Sequence, residues 1–148
     1  MEETLLTSTQ ERSLHASLLL FEKALRKVDR LLSDGDEIGI LYYRKSYLDK
    51  QTRELIHKKI ANTLVELEEF TKKLALRPIA ESLESTIMGE MSISWESLEE
   101  SRSKRMRGYG EISPQAVEII DPAIDHFARI ALGLSSIFTS EPSNNKSE

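Results

Sequence analysis

Residues 8–34 read STQERSLHASLLLFEKALRKVDRLLSD, and this stretch decides the fold class. Within it, apolar side chains recur at alternating steps of four and three residues: Leu14, Leu18, Phe21, Leu25, Val28 and Leu32. A repeat of about 3.5 residues is typical of helices that pack along their length in bundles and coiled coils. Ser8 and Glu11 have the spacing of a capping box, and Gly35 can take the left-handed conformation that follows a last helical turn. The pattern predicts a long first helix with one packing face.

Two further helices are predicted from the middle of the chain. A cap at Ser46 or Asp49 begins the second, which continues to about Leu76 without glycine or proline. Pro78 marks the next boundary, because proline disfavours helical backbone in the residue before it and suits a first helical turn. The third helix is predicted from there to Arg107. A single helix kinked at Pro78 is the alternative.

The fourth helix begins after Ser113, a capping residue followed by Pro114 at the first helical position. Proline inside a helix removes a hydrogen bond and clashes with the preceding turn. Helix 4 is therefore predicted to be kinked or broken at Pro122 and to end near Phe138.

Together these patterns predict an all-α protein, a four-helix up-down-up-down bundle with long helices. Residues 1–138 are predicted to form a single helical-bundle domain, and residues 139–148 a flexible polar C-terminal tail. The alternative is an elongated pair of helical hairpins that completes its core only as a dimer.

Composition restricts the possible functions. The chain has 148 residues, a net charge of −5 and no cysteine, which disfavours bulk binding to nucleic acid and excludes thiolate chemistry. The most apolar stretch, Phe127 to Phe138, is shorter than the roughly 20 residues that span a bilayer. The acidic N-terminus lacks the pattern of a signal peptide. We therefore expect a cytoplasmic protein without membrane contact.

All four tyrosines fall in two predicted inter-helix connections, where basic residues also concentrate. In an up-down-up-down bundle these two connections lie at the same end. Aromatic rings and arginine dominate binding hot spots, and cations can hold carboxylate or phosphate. The predicted partner-binding residues are Tyr42, Tyr43, Arg44, Tyr47, Arg102, Lys104, Arg105, Arg107 and Tyr109.

Other candidate sites are weaker. Glu54 and His57 have the Glu-x-x-His spacing of di-iron bundles, but the second copy that such sites need is absent, so no metal site and no cofactor is predicted. Asp125 and His126 are adjacent and diverge by about 100° on a helix, which disfavours an acid–base pair. No catalytic residue is predicted.

Helix 3 carries a stripe of small residues that includes Ser85, Gly89 and Ser92. Small side chains at this spacing allow two helix backbones to approach closely. The stripe predicts either close packing inside the bundle or a contact between two copies of the chain.

The sequence thus favours a non-enzymatic interaction or scaffold protein whose partner is either an unknown acidic protein or a second copy of the chain in a homodimer. A nucleotide- or RNA-binding module that uses the same Tyr/Arg end is one alternative. A metal-binding, di-iron-like bundle is the other.

Overall fold

The computed structural model describes residues 5–138, and the chain divides between Pro78 and Ile79 into two compact units. The first unit contains α1 (Ser8–Asp34), β1 (Glu37–Ile38), β2 (Tyr43–Arg44) and α2 (Lys50–Lys73). The second contains α3 (Leu83–Glu99), α4 (Ser103–Met106), a 3-10 turn (Arg107–Tyr109) and α5 (Pro114–Ser136).

Helices dominate both units, which confirms the all-α class; the strands among the described residues are two residues each. In the first unit α1 packs against α2, and in the second α3 packs against α5. The four-helix bundle and the single domain over residues 1–138 concern how the units combine, and both stay predictions. The predicted tail, residues 139–148, lies outside the described residues.

The long first helix is confirmed, with its cap one residue earlier than predicted. Thr7 is the N-cap: its hydroxyl accepts the Gln10 N–H at 3.1 Å, and the Gln10 side chain accepts the Thr7 N–H at 3.0 Å. Gly35 ends α1 with a φ of 68°, and its N–H donates to the carbonyl of Leu31. Glycine takes this left-handed backbone without the steric cost of a Cβ.

The segment after α2 excludes one continuous helix kinked at Pro78. Helix α2 ends at Lys73, and Ala75 takes a φ of 54° while the N–H of Leu76 donates back to the carbonyl of Thr71. This bond satisfies a carbonyl that the helix end would leave free. Helix α3 does not begin until Leu83, so Pro78 lies in the connection.

The third helix ends earlier than predicted, at Glu99 instead of Arg107. Four residues later the separate helix α4 begins, and Ser103 donates through both its backbone N–H and its hydroxyl to Asp121 of α5. The Asp121 carboxylate thereby accepts a hydrogen bond from the Ser103 N–H, which has no partner within α4 because it lies in the first turn. The basic residues from Arg102 to Arg107 consequently lie outside the last turn of α3.

The predicted break at Pro122 is wrong, because α5 is one helix from Pro114 to Ser136 with Pro122 inside it, and the alternative, a kink at Pro122, stays a prediction. Ser113 caps it as predicted and accepts the Ala116 N–H at 3.1 Å. Proline has no N–H, so the carbonyl of Glu118 has no helical hydrogen-bond partner. Because Pro122 is exposed, water can donate a hydrogen bond to this carbonyl.

Few side chains are buried. Among residues 5–138 the buried apolar side chains are Ile60, Ala128 and Ala131. Several residues with core-like spacing in α5 are instead exposed, namely Ile119, Phe127, Ile130 and Leu134. Helix α5 turns its alanine face inward, which allows the close approach to α3 that small residues permit.

Candidate functional site

A surface pocket of about 410 Å³ lies in the first unit, between the end of α1, the segment after β2 and the start of α2. Its apolar floor consists of Val28, Leu31, Leu32 and Leu48, and its other lining residues are Gly35, Arg44, Lys45, Ser46, Tyr47 and Arg53. We call it the basic pocket, since three cations stand around an apolar floor. Its volume is within the range of about 300–1,000 Å³ found for ligand pockets.

Local hydrogen bonds build the walls of the basic pocket. The carboxylate of Asp36 accepts the N–H of Ser46 at 2.9 Å and so ties together the two ends of the connection between α1 and α2. Asp49 caps α2 by accepting the N–H of Thr52 at 2.7 Å, and these hydrogen bonds lower the pKa of Asp49. The chain between them is thus held across the end of α1.

Two of the three cations are available to a ligand. Arg44 pairs with Glu37 at 3.0 Å. Lys45 and Arg53 make no ion pair among the described residues. Glu37 also accepts a hydrogen bond from the hydroxyl of Tyr42, which raises the pKa of Tyr42. The pocket therefore combines an apolar floor with two cations that have no ion pair in the part of the chain that the structure describes, a combination that suits an apolar group joined to a carboxylate or phosphate.

The predicted tyrosines divide between the two units. In the first unit Tyr47 lines the basic pocket and is 92% exposed, whereas Tyr42 and Tyr43 line a separate pocket at the turn between β1 and β2. Tyr109 is 94% exposed and belongs to the second unit. Their predicted position at one end of a bundle depends on how the units combine and stays a prediction.

The predicted basic residues of the second unit fall into two groups. Arg102 makes two hydrogen bonds to Glu99, at 2.8 and 2.9 Å, and pairs with Asp125 at 2.8 Å. These bonds raise the pKa of Arg102 and lower those of Glu99 and Asp125. Arg102 thus joins α3 to α5. The exposed basic residues are Lys104, Arg105 and Arg107, with Arg105 at 3.9 Å from Glu100.

Acid is expected to destabilise the second unit. Hydrogen bonds from Ser103 lower the pKa of Asp121, and those from Arg102 and Arg129 lower that of Asp125, relative to an ordinary value of 3.8. A depressed folded-state pKa stabilises the fold above the unfolded value and loses that contribution as the pH falls through the folded value. Thermal melts followed by Trp95 fluorescence should therefore show constant stability near neutral pH and a decline below about pH 4.

Asp121→Asn separates this effect from general acid unfolding. The variant should be less stable at neutral pH and lose less stability than the wild type on acidification. Glu118→Gln changes an exposed carboxylate of the same helix and serves as the control. A wild-type second unit that is equally stable at about pH 3 and at neutral pH would contradict the assignment.

The remaining candidate residues do not line the basic pocket, although Glu54 and His57 line a neighbouring pocket that also contains Arg53. The ring nitrogen Nδ1 of His57 lies 2.5 Å from the carboxylate of Asp29 on α1, and no group of three or more potential metal ligands converges within residues 5–138. Ser85, Gly89 and Ser92 are exposed on α3, and a Cβ added at Gly89 would meet nothing within 4 Å. Within the described part of the second unit, therefore, no neighbouring atom packs closely against Gly89, and the predicted contact between two copies of the chain stays a prediction.

Sequence reasoning missed Arg53 and the apolar floor of the basic pocket. Arg53 comes four residues after the Asp49 cap, so it lies in the first turn of α2 and faces the end of α1. Val28 and Leu32 belong to the apolar repeat of α1, which the sequence assigned wholly to packing. The available signal was Arg53, a basic residue in the first turn of α2, together with an apolar repeat that continues to the end of α1.

Comparison with protein-family models, curated proteins and solved structures finds no match to this chain. None of the helices in residues 5–138 combines the length and the apolar character needed to cross a membrane.

Proposed function

We propose that this chain is a non-enzymatic interaction protein that binds an acidic partner through the basic pocket of its first unit. One observation carries the proposal: Lys45 and Arg53 stand without an ion pair in the described residues, beside an apolar floor that is open to a ligand. Arginine and tyrosine are enriched among residues that dominate binding energies, and Tyr47 adds an exposed ring to the same pocket.

The chemistry of the pocket favours a particular kind of partner segment. A leucine or phenylalanine side chain can occupy the floor, while a neighbouring aspartate or glutamate meets Lys45 or Arg53. Such alternation is typical of amphipathic helices that bind grooves through regularly spaced apolar anchors. The partner is therefore an acidic, amphipathic peptide segment.

Several finer sequence predictions belong to the same proposal. The two helical hairpins would combine into an up-down-up-down bundle, which would bring Lys104, Arg105, Arg107 and Tyr109 beside the basic pocket. The proposal also includes homodimer formation through Ser85, Gly89 and Ser92 and a cytoplasmic location. Cysteines introduced at Tyr43 and Tyr109 would cross-link readily if the bundle forms.

The test begins with selection of peptides from a random displayed library against the full-length chain. Selected peptides should be enriched in aspartate or glutamate next to leucine or phenylalanine. Binding of a labelled selected peptide, followed by fluorescence anisotropy, should weaken at least about tenfold in Lys45→Glu/Arg53→Glu, because two attractive charges become repulsive. Circular dichroism verifies that the variant keeps its helices.

Lys58→Glu/Lys59→Glu is the matched control, with the same change of charge on exposed residues of α2 outside the pocket. It should bind as the wild type does, apart from a small nonspecific loss. Arg105→Ala/Arg107→Ala in the same assay tests whether the second unit contributes. Equal losses in the pocket variant and the control would refute the pocket. Steep salt dependence with single-stranded RNA, and no peptide selection, would favour the RNA-binding alternative.

A further inference from the structure

The connection between α1 and α2 forms an ordered β-hairpin that projects apolar side chains into solvent. Strands β1 and β2 pair antiparallel, with Glu37 opposite Arg44 and Ile38 opposite Tyr43. The turn is closed by the Gly39 N–H, which donates to the carbonyl of Tyr42 at 2.8 Å. The Tyr42 ring lies so close over Gly39 that an added Cβ would stand 2.6 Å from it.

Residues 38–41, which comprise the last residue of β1 and the start of the turn and which we call the hairpin tip, are exposed to an unusual degree. Ile40 is 99% exposed, Leu41 96% and Ile38 88%. Single exposed apolar residues are common on soluble proteins, whereas a contiguous apolar group marks an interaction surface. The tip is ordered by backbone bonds and by Tyr42, so its apolar side chains contribute no burial to the fold of the free chain.

Side-chain chemistry changes in layers from the hairpin tip towards the helices. Apolar side chains occupy the tip, Tyr42 and Tyr43 follow, and Arg44 and Lys45 come next. At about 3.3 Å per strand residue, Arg44 lies about 10 Å from Leu41. Interfacial elements bury their apolar face about 5–10 Å into a bilayer, with tyrosine and tryptophan at headgroup level. Cations above that level meet anionic headgroups.

We propose that the hairpin tip inserts into the interface of a bilayer that contains anionic lipid, with Tyr42 and Tyr43 at the headgroups and Lys45 facing lipid phosphates. This inference goes beyond the proposed function, because it uses Ile38, Ile40 and Leu41, which lie outside the basic pocket. It is an alternative to the sequence-based expectation of no membrane contact, which considered a spanning segment and a signal peptide.

The acidic residues around the hairpin are already engaged in local bonds. Residues 36–53 contain three acidic and four basic side chains. Glu37 pairs with Arg44, Asp36 accepts from Ser46, and Asp49 caps α2. Because the excess of positive charge is small, the apolar tip supplies most of the binding and anionic lipid strengthens it.

The experiment is cosedimentation of the full-length protein with phosphatidylcholine vesicles that contain roughly a quarter phosphatidylserine. The wild type should bind, and Ile40→Asp/Leu41→Asp should lower the partition coefficient at least about a hundredfold, since burial of each side chain contributes at least about tenfold. Lys45→Ala, which removes one cation, should lower it about fivefold with these vesicles, and little with pure phosphatidylcholine.

Leu20→Asp is the matched control, because Leu20 is 71% exposed on α1 and lies away from the hairpin. It should leave vesicle binding unchanged. In a Trp95→Phe background, Leu41→Trp should shift its fluorescence to shorter wavelength with vesicles and be quenched by brominated lipid.

Two results would overturn the proposal. One is equal vesicle binding by the wild type and Ile40→Asp/Leu41→Asp. The other is that the wild type does not bind vesicles but self-associates, and that Ile40→Asp/Leu41→Asp abolishes the self-association. This result would assign the tip to a contact with a second copy of the chain. Selected acidic peptides should bind the tip variant normally, so failure here is distinguishable from failure of the basic pocket.

Discussion

Truncation of Ile60 to alanine is expected to lower the free energy of unfolding of the first unit by about 2–5 kcal/mol. Ile60 is 5% exposed, and among the described residues of the first unit no other apolar side chain is buried. Its removal loses the transfer free energy of the deleted methyl groups and leaves a cavity between α1 and α2. Urea denaturation of the full-length protein, followed by far-UV circular dichroism, measures the change.

Val65→Ala provides the comparison, because Val65 is on the same helix and 56% exposed. Its effect should stay within about 0.5 kcal/mol, as for most surface substitutions. Trp95 lies in the second unit, so its fluorescence transition tells whether the loss at Ile60 is confined to the first. Similar effects of both substitutions would mean that Ile60 has no special role in the packing of α1 against α2.

Replacement of Pro122 by alanine is expected to raise the free energy of unfolding of the second unit by about 2 kcal/mol. Proline inside a helix costs about 3 kcal/mol relative to alanine, since it lacks the N–H and its ring crowds the preceding turn. Part of the gain is offset by about 0.4–1 kcal/mol, because alanine gives the unfolded chain more freedom. Urea denaturation followed by Trp95 fluorescence measures the effect.

Pro122 is exposed, so its replacement removes little packing and isolates the backbone effect. Gln115→Ala is the control, as Gln115 is exposed near the start of α5 and glutamine has nearly the helix propensity of alanine. It should change stability by less than about 0.5 kcal/mol. Lower stability of Pro122→Ala would show that the proline contributes to packing that exposure does not reveal.

Features governed by neighbouring residues were predictable from the sequence. The apolar repeat from Leu14 to Leu32 predicted α1, Gly35 its end, and Ser113 with Pro114 the start of α5. Each depends on bonds or steric limits within a turn or two of the chain. The candidate site was partly predictable for the same reason: Arg44 and Tyr47 stood out in a basic, aromatic connection.

Features governed by distant residues were not predictable. The end of α3 at Glu99 depends on Asp121, which is 18 residues from Ser103 and accepts two of its hydrogen bonds. Arg102 was predicted to bind a partner; it pairs with the nearby Glu99, but its second bonding residue, Asp125, belongs to α5 and could not be assigned from the sequence. Arg53 acquired its place in the basic pocket only when α2 packed against α1.

By itself, then, the sequence determined the all-α class, the long α1 and the caps of α2 and α5, because propensity and capping act over a few residues. Tertiary structure alone decided the length of α3, the continuity of α5 through Pro122 and which apolar side chains are buried. It also decided that Ile40 and Leu41 point into solvent. Each of these outcomes depends on which surfaces meet across the chain, and apolar spacing along one helix does not specify its partner.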